Sequence, residues 1–223
     1  MNICYFLALL GVLIQGAFIY IEHQKNYKAA LILKTSASFF FCLIGLIAYN
    51  TNKTATGLLL LFGLIFGMCG DFFLNLRFLS EKNGQKIFLV GIAFFLIGHI
   101  IYLCAIIPFS SNLLICVLIG ALLAAGLLAY IFKTMEVAAA FKAFGILYLG
   151  AIIIMTSIAI GNFLTIGNTF TKLYAAGAIF FTISDIVLIF NTFSGSSRFS
   201  RRIINLSFYY LGQLLIAFSI FHL

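Results

Sequence analysis

The chain has 223 residues, of which 64% are hydrophobic and 8% charged, with a single proline and a formal net charge of +8. Soluble domains average roughly 45–50% apolar and about 25% charged residues. This composition therefore excludes an ordinary soluble globular protein, a disordered chain and a disulfide scaffold, and it indicates an integral membrane protein whose apolar surface meets lipid.

Eight apolar segments predict spans near Ile3–Ile21, Leu31–Tyr49, Ala55–Leu76, Ile87–Ile107, Leu113–Phe132, Phe144–Phe163, Leu173–Phe193 and Ile203–Leu223. Each is expected to be a helix, because lipid offers no partner for an unpaired backbone group. The first segment lacks the basic start and small-residue cleavage site of a signal peptide, so it is read as a span. Eight spans of roughly 20 residues leave only short connections. Residues 1–223 are thus expected to form one membrane domain, with any active site inside or at the edge of the bilayer.

Charge gives the orientation. Lys25, Lys28 and Lys34 belong to the first loop, Arg77, Lys82 and Lys86 to the third, Lys133 and Lys142 to the fifth, and Arg198, Arg201 and Arg202 to the seventh. These are eleven of the 13 basic residues; Lys53 and Lys172 lie on the opposite face. The positive-inside rule puts the basic face in the cytoplasm and both termini outside. The expected location is the plasma (inner) membrane, with the active site toward its cytoplasmic half. The positive balance describes a membrane-facing rim and not a nucleic-acid patch, since no basic run is dense enough. The five cysteines, Cys4, Cys42, Cys69, Cys104 and Cys116, all fall in apolar segments without a C-x-x-C, and read as small buried hydrophobes.

The two halves resemble each other at a constant offset of 114 residues. Gly63, Ile65, Phe66, Asp71 and Leu74 recur as Gly177, Ile179, Phe180, Asp185 and Leu188, and Phe94, Gly98 and Ile106 recur as Phe208, Gly212 and Ile220. His99 falls opposite Gln213, and Glu22 and Lys28 recur as Glu136 and Lys142. The expected fold is all-α, two parallel four-helix repeats (residues 1–109 and 110–223, approximately) about an axis along the membrane normal. Spans 3 and 7 would then face a shared centre.

Of five acidic residues, only Asp71 and Asp185 lie inside spans, and they are repeat equivalents. An aspartate at the centre of a span costs about 2.5–3.5 kcal/mol. Asp71 precedes Arg77 by six residues, about 9 Å at 1.5 Å per residue, so it sits beneath the basic rim. Helical spacing adds a polar lining of Lys34, Asn75, His99, Tyr102, Tyr148, Tyr209, Tyr210 and Gln213 in a wall of Phe, Leu and Ile. Such a cavity suits a lipid-like ligand. Two carboxyls facing it can divide one proton between them, which supplies a general acid and a general base. The bland readings are that the aspartates glue helices or balance Lys34 or His99, that His99, Asn75 and Gln213 are packing residues, and that the tyrosines belong to an interfacial belt. Clustered His and Cys for a metal site are lacking.

These residues resemble the YhhN-like family of membrane lysoplasmalogenases. The similarity runs through Gly70-Asp71-x-x-Leu74, Gly91 with Phe95, Gly98-His99-x-x-Tyr102 and Tyr148-x-x-x-Ile152-x-x-Met155. It continues in Gly177-Ala178, Ser184-Asp185-x-x-Leu188 and Tyr209-Tyr210-x-x-Gln213, with Lys34 at the start of span 2. Thr35 stands where the family often has proline, and Ile189 where it often has alanine. The resemblance implies hydrolysis of the vinyl ether bond of lysoplasmalogen to a fatty aldehyde and glycerophosphoethanolamine or glycerophosphocholine, with no metal or organic cofactor. On that reading Asp71 and Asp185 are the acid and base, in either order. Asn75, His99 and Gln213 orient them or the water. Lys34, Arg77 and Arg202 are candidates for the phosphate of a lysophospholipid drawn from the bilayer, and Tyr102, Tyr148, Tyr209 and Tyr210 line its pocket.

The main rival is a lipid or proton-coupled transporter that uses the buried aspartates, which the repeat favours. An intramembrane aspartyl protease fits two aspartates in spans, but Pro108 is far from either motif in sequence. A non-catalytic lipid sensor is the third alternative.

Overall fold

A computed structural model describes residues 1–135, 139–195 and 197–223, with side chains described from residue 142 onward in the second stretch. Glu136, half of one repeat match, lies outside the described residues. The described chain is helical and contains no strand: α1 (Asn2–His23), α2 (Tyr27–Thr51), α3 (Ala55–Leu76), α4 (Gly84–Ile106), α5 (Leu113–Thr134), α6 (Ala139–Ile166), α7 (Thr169–Phe193) and α8 (Phe199–Ser219). Short 3₁₀ turns extend α3, α4 and α8. All eight helices are long and apolar enough to cross a membrane.

Bounds follow hydropathy where the flanks are apolar, and polar caps where they are not. α3 occupies the predicted range, started by Thr54, whose side chain accepts from the Gly57 amide at 3.0 Å. α2 begins four residues before the predicted Leu31, because Asn26 caps it by accepting from the Ala29 amide. Asn168 likewise starts α7 through the Thr171 amide at 2.9 Å. α6 stops at Gly167, whose φ of +68° is the left-handed conformation that glycine adopts without a Cβ clash. Its amide closes the helix on the Phe163 carbonyl at 2.9 Å.

The most extensive helix contacts are α7 with α8 and α3 with α4. α8 is the most enclosed helix, while α1 and α5 lie at the periphery. The core runs through Phe41, Ile44, Leu64, Tyr102, Phe181 and Ile216. Polar ties join helices where lipid-like packing alone gives little driving force. Asn162 Nδ2 donates to the Ile106 carbonyl at 2.9 Å, Ser157 Oγ to the Cys116 carbonyl at 2.7 Å, and Thr156 and Thr182 share a hydrogen bond of 2.7 Å. The cysteines are free; Cys4, Cys42 and Cys116 are buried as expected, but Cys69 is half-buried and Cys104 exposed on the outer helix surface.

Matched contacts recur between the halves. A Cβ on Gly98 would lie 3.3 Å from the Gly63 carbonyl, and one on Gly212 would lie 2.8 Å from the Gly177 carbonyl, so α3–α4 and α7–α8 both cross glycine on glycine. Phe66 pairs with Phe94, and Phe180 with Phe208. These pairs are related by the 114-residue offset.

Candidate active site

The α3 face that carries Asp71 is lined with glycines, and each admits a side chain from a neighbour. Gly63 lies under the Tyr102 ring, Gly67 under the Gln213 amide and Gly70 under the Phe95 ring. The absence of Cβ atoms brings α4 and α8 close enough to enclose the aspartate, which is 4% exposed. Asp185 on α7 is 3% exposed. Both carboxyls line one chamber of about 40 Å³. That is room for water but not for a lipid chain.

The carboxyls differ in their partners. Asp71 Oδ2 accepts from Ser38 Oγ at 2.5 Å and from Tyr209 Oη at 2.6 Å, and forms an ion pair with Lys34 Nζ at 3.4 Å. Lys34 also donates to Gln15 Oε1 at 3.4 Å and sits 4.3 Å above the Tyr209 ring. Asn75 Nδ2 donates to the Asp71 main-chain carbonyl at 2.9 Å. Asp185 Oδ2 accepts from Tyr148 Oη at 2.5 Å, its one hydrogen-bond donor among the described residues. A carboxylate held by a cation and two hydroxyls is stabilised in its ionised form; one with a single neutral donor has no such compensation for its burial.

Of the twelve residues expected at the site, eight line the chamber: Lys34, Asp71, Asn75, Arg77, Tyr148, Asp185, Arg202 and Tyr209. The other four lie in the packing beside it. His99 Nδ1 donates to the Phe95 carbonyl at 2.7 Å, and its ring packs against Tyr102, Tyr148 and Phe181 without a hydrogen bond to either carboxylate. Tyr102 Oη donates to Gln213 Oε1 at 2.9 Å, and Tyr210 Oη to the Ala37 carbonyl at 3.0 Å. Sequence reasoning missed Ser38 and Asn205. Ser38 stands one turn after Lys34 and Asn205 one turn before Tyr209, so helical spacing carried a signal for both. Asn205 lines the chamber, and its Nδ2 donates to Ser184 Oγ at 2.8 Å, tying α8 to α7 beside Asp185.

Above the chamber lies a polar vestibule of about 520 Å³, which shares Arg77, Leu188 and Arg202 with it. Arg202 is gripped there by Glu22, with Nε at 2.8 Å and Nη2 at 2.6 Å from the two carboxylate oxygens. Among the described residues, no three His, Cys, Asp or Glu side chains cluster as metal ligands would. A larger cleft of about 730 Å³ runs between α5, α6 and α7, but among the described residues no acidic or basic side chain lines it. The smaller chamber, by contrast, is lined by both carboxyls and by Lys34, Arg77 and Arg202.

No curated protein and no solved structure matches this chain. The YhhN family model matches residues 29–220. That match covers most of the sequence, including both aspartate-bearing helices and every residue lining the chamber, and the chain therefore belongs to the YhhN family.

Proposed function

We propose that the protein is a membrane hydrolase that cleaves the vinyl ether bond of lysoplasmalogen, releasing a fatty aldehyde and glycerophosphoethanolamine or glycerophosphocholine. The YhhN family includes lysoplasmalogenases. The observation that carries the reading is a pair of buried carboxyls in unlike hydrogen-bond settings on one water-sized chamber.

The unlike settings suggest the roles. Asp185, with its single neutral donor, is the acid; Asp71, paired with Lys34, is the base. Asp185 gives its proton to the outer carbon of the vinyl ether, which leaves an oxocarbenium ion between two carboxylates. Asp71 takes a proton from water as its oxygen adds to the inner carbon. The hemiacetal then collapses: its hydroxyl proton returns to Asp185, the carbon–oxygen bond breaks, and the proton on Asp71 passes to the departing glycerol oxygen. Both groups regain their starting states, and one water is consumed.

The test is aldehyde release from lysoplasmalogen by the purified protein in liposomes. Asp71→Asn and Asp185→Asn should each lower turnover by at least about a hundredfold while insertion and folding persist. Near-normal release by both variants overturns the mechanism. Lipid or proton flux without aldehyde release by the unaltered protein would favour the transporter reading.

A further inference from the structure

We propose that Arg77 is the site's phosphate receptor, and that a single-chain phospholipid reaches it sideways from the bilayer, through an opening between the start of α4 and the end of α7. The first observation is position. Arg77 lines three cavities at once: the carboxylate chamber, the polar vestibule, and a pocket of about 340 Å³ walled by Phe78, Gln85, Phe88, Thr192 and Phe193. Among the described residues, it alone lines the carboxylate chamber, the polar space and the apolar side opening.

The second observation is availability. Three basic side chains line the chamber. Lys34 is committed to Asp71 and Gln15, and Arg202 to Glu22. Among the described residues Arg77 forms no ion pair, and its Nε is buried without a hydrogen-bond partner. A buried guanidinium N–H left unpaired is costly, and a phosphate oxygen would satisfy it. The group is also held still: its centre lies 4.5 Å from the Phe78 ring and 4.3 Å from the Phe88 ring. A planar fork fixed between aromatic faces is preorganised for the oxygens of a phosphate.

The surroundings sort the rest of the ligand. Among the described residues, the side pocket carries no charge besides Arg77 and suits an alkyl chain. Among the described residues, the vestibule holds Lys25, Arg198 and Arg202 beside Arg77, against the single acid Glu22, and suits a hydrated anionic head group. A phosphate on Arg77 thus places the glycerol backbone between head group and chain, beside the chamber mouth. The substrate identity rests on the hydrolase reading, whereas phosphate capture by Arg77 does not.

Binding therefore tests the inference apart from turnover. The probe is an unreactive saturated alkyl-ether lysophosphatidylethanolamine with a photoreactive group in its chain, applied to the full-length protein in detergent. Arg77→Gln should weaken binding by about ten- to a hundredfold, and Arg77→Lys should recover part of the loss. Alkylglycerol, which lacks phosphate, should bind all three forms alike. Photolabelling should fall on the α4 start and the α7 end, and glycerophosphoethanolamine or inorganic phosphate should compete only weakly. Equal affinity of wild type and Arg77→Gln overturns the receptor. Labelling in the α5–α6–α7 cleft overturns the route, and displacement by inorganic phosphate at the lipid's own concentration overturns the lipid source. Tight Arg77-dependent binding without aldehyde release from the reactive lipid would sink the hydrolase reading alone.

Discussion

Lys34 lies at 1% exposure inside a helix bundle, and its amine is accommodated there because Asp71, Gln15 and the Tyr209 ring surround it. Removing one member of a buried ion pair strands the other and costs about 3–5 kcal/mol. Lys34→Met should therefore lower stability by that amount, and adding Asp71→Asn should recover much of it. Unfolding of the two variants in mixed micelles measures the difference; equal instability of single and double variants would refute the coupling. The carboxylates and Lys34 were legible in the sequence because charge is scarce in spans. Ser38 and Asn205 carried only the weaker signal of helical spacing, because hydroxyls and amides inside helices commonly bond only nearby carbonyls or pack as glue. His99 shows the limit of spacing. It does share a face with Phe95 and Tyr102, but spacing does not say how that face is turned, and here it packs among Tyr148 and Phe181. The Arg202–Glu22 pair spans 180 residues and needed the tertiary fold.

Helices were legible as elements wherever twenty apolar residues ran together, and least so at polar first turns. α8 begins at Phe199, ahead of the predicted Ile203, because Arg201 and Arg202 lie in helix at the bundle's polar rim. The pairing of α3 with α4 and α7 with α8 depends on glycines whose absent Cβ atoms set the crossing distance. At Gly212 an added methyl would meet the Gly177 carbonyl at 2.8 Å and the Phe181 amide nitrogen at 3.1 Å; at Gly98 the nearest approach is 3.3 Å; at Gly126 nothing lies within 4 Å. Gly212→Ala should thus cost about 1–3 kcal/mol as an overpacked contact. Gly98→Ala should cost less, and Gly126→Ala should leave stability unchanged or slightly raised, since alanine is the better helix former. Thermal unfolding in one detergent ranks the three, and a harmless Gly212→Ala would contradict the tight crossing.

Across the whole molecule, residues 114 apart share packing contacts but differ at the site. Lys34 and Tyr148 occupy equivalent positions, and each serves the aspartate of its own half. Tyr209 donates to Asp71 from the other half, but its equivalent is Phe95, which has no hydroxyl to offer Asp185. Together with Lys34 against Tyr148 and Ser38 against Ile152, this difference makes two like carboxyls unlike. The basic rim predicts that the vestibule faces the cytoplasm. In right-side-out vesicles an impermeant maleimide should label Thr51→Cys at once and Glu81→Cys only after permeabilisation; the reverse order would invert the orientation. The chamber's volume of about 40 Å³ has a further chemical meaning for the proposed reaction. A vinyl ether brought to the chamber mouth leaves space beside its reacting carbon for water from the chamber, but not for the glycerol or amine head group of a second lipid. The alkenyl group is consequently committed to solvent-derived oxygen, and acetal exchange between membrane lipids is shut out by size alone.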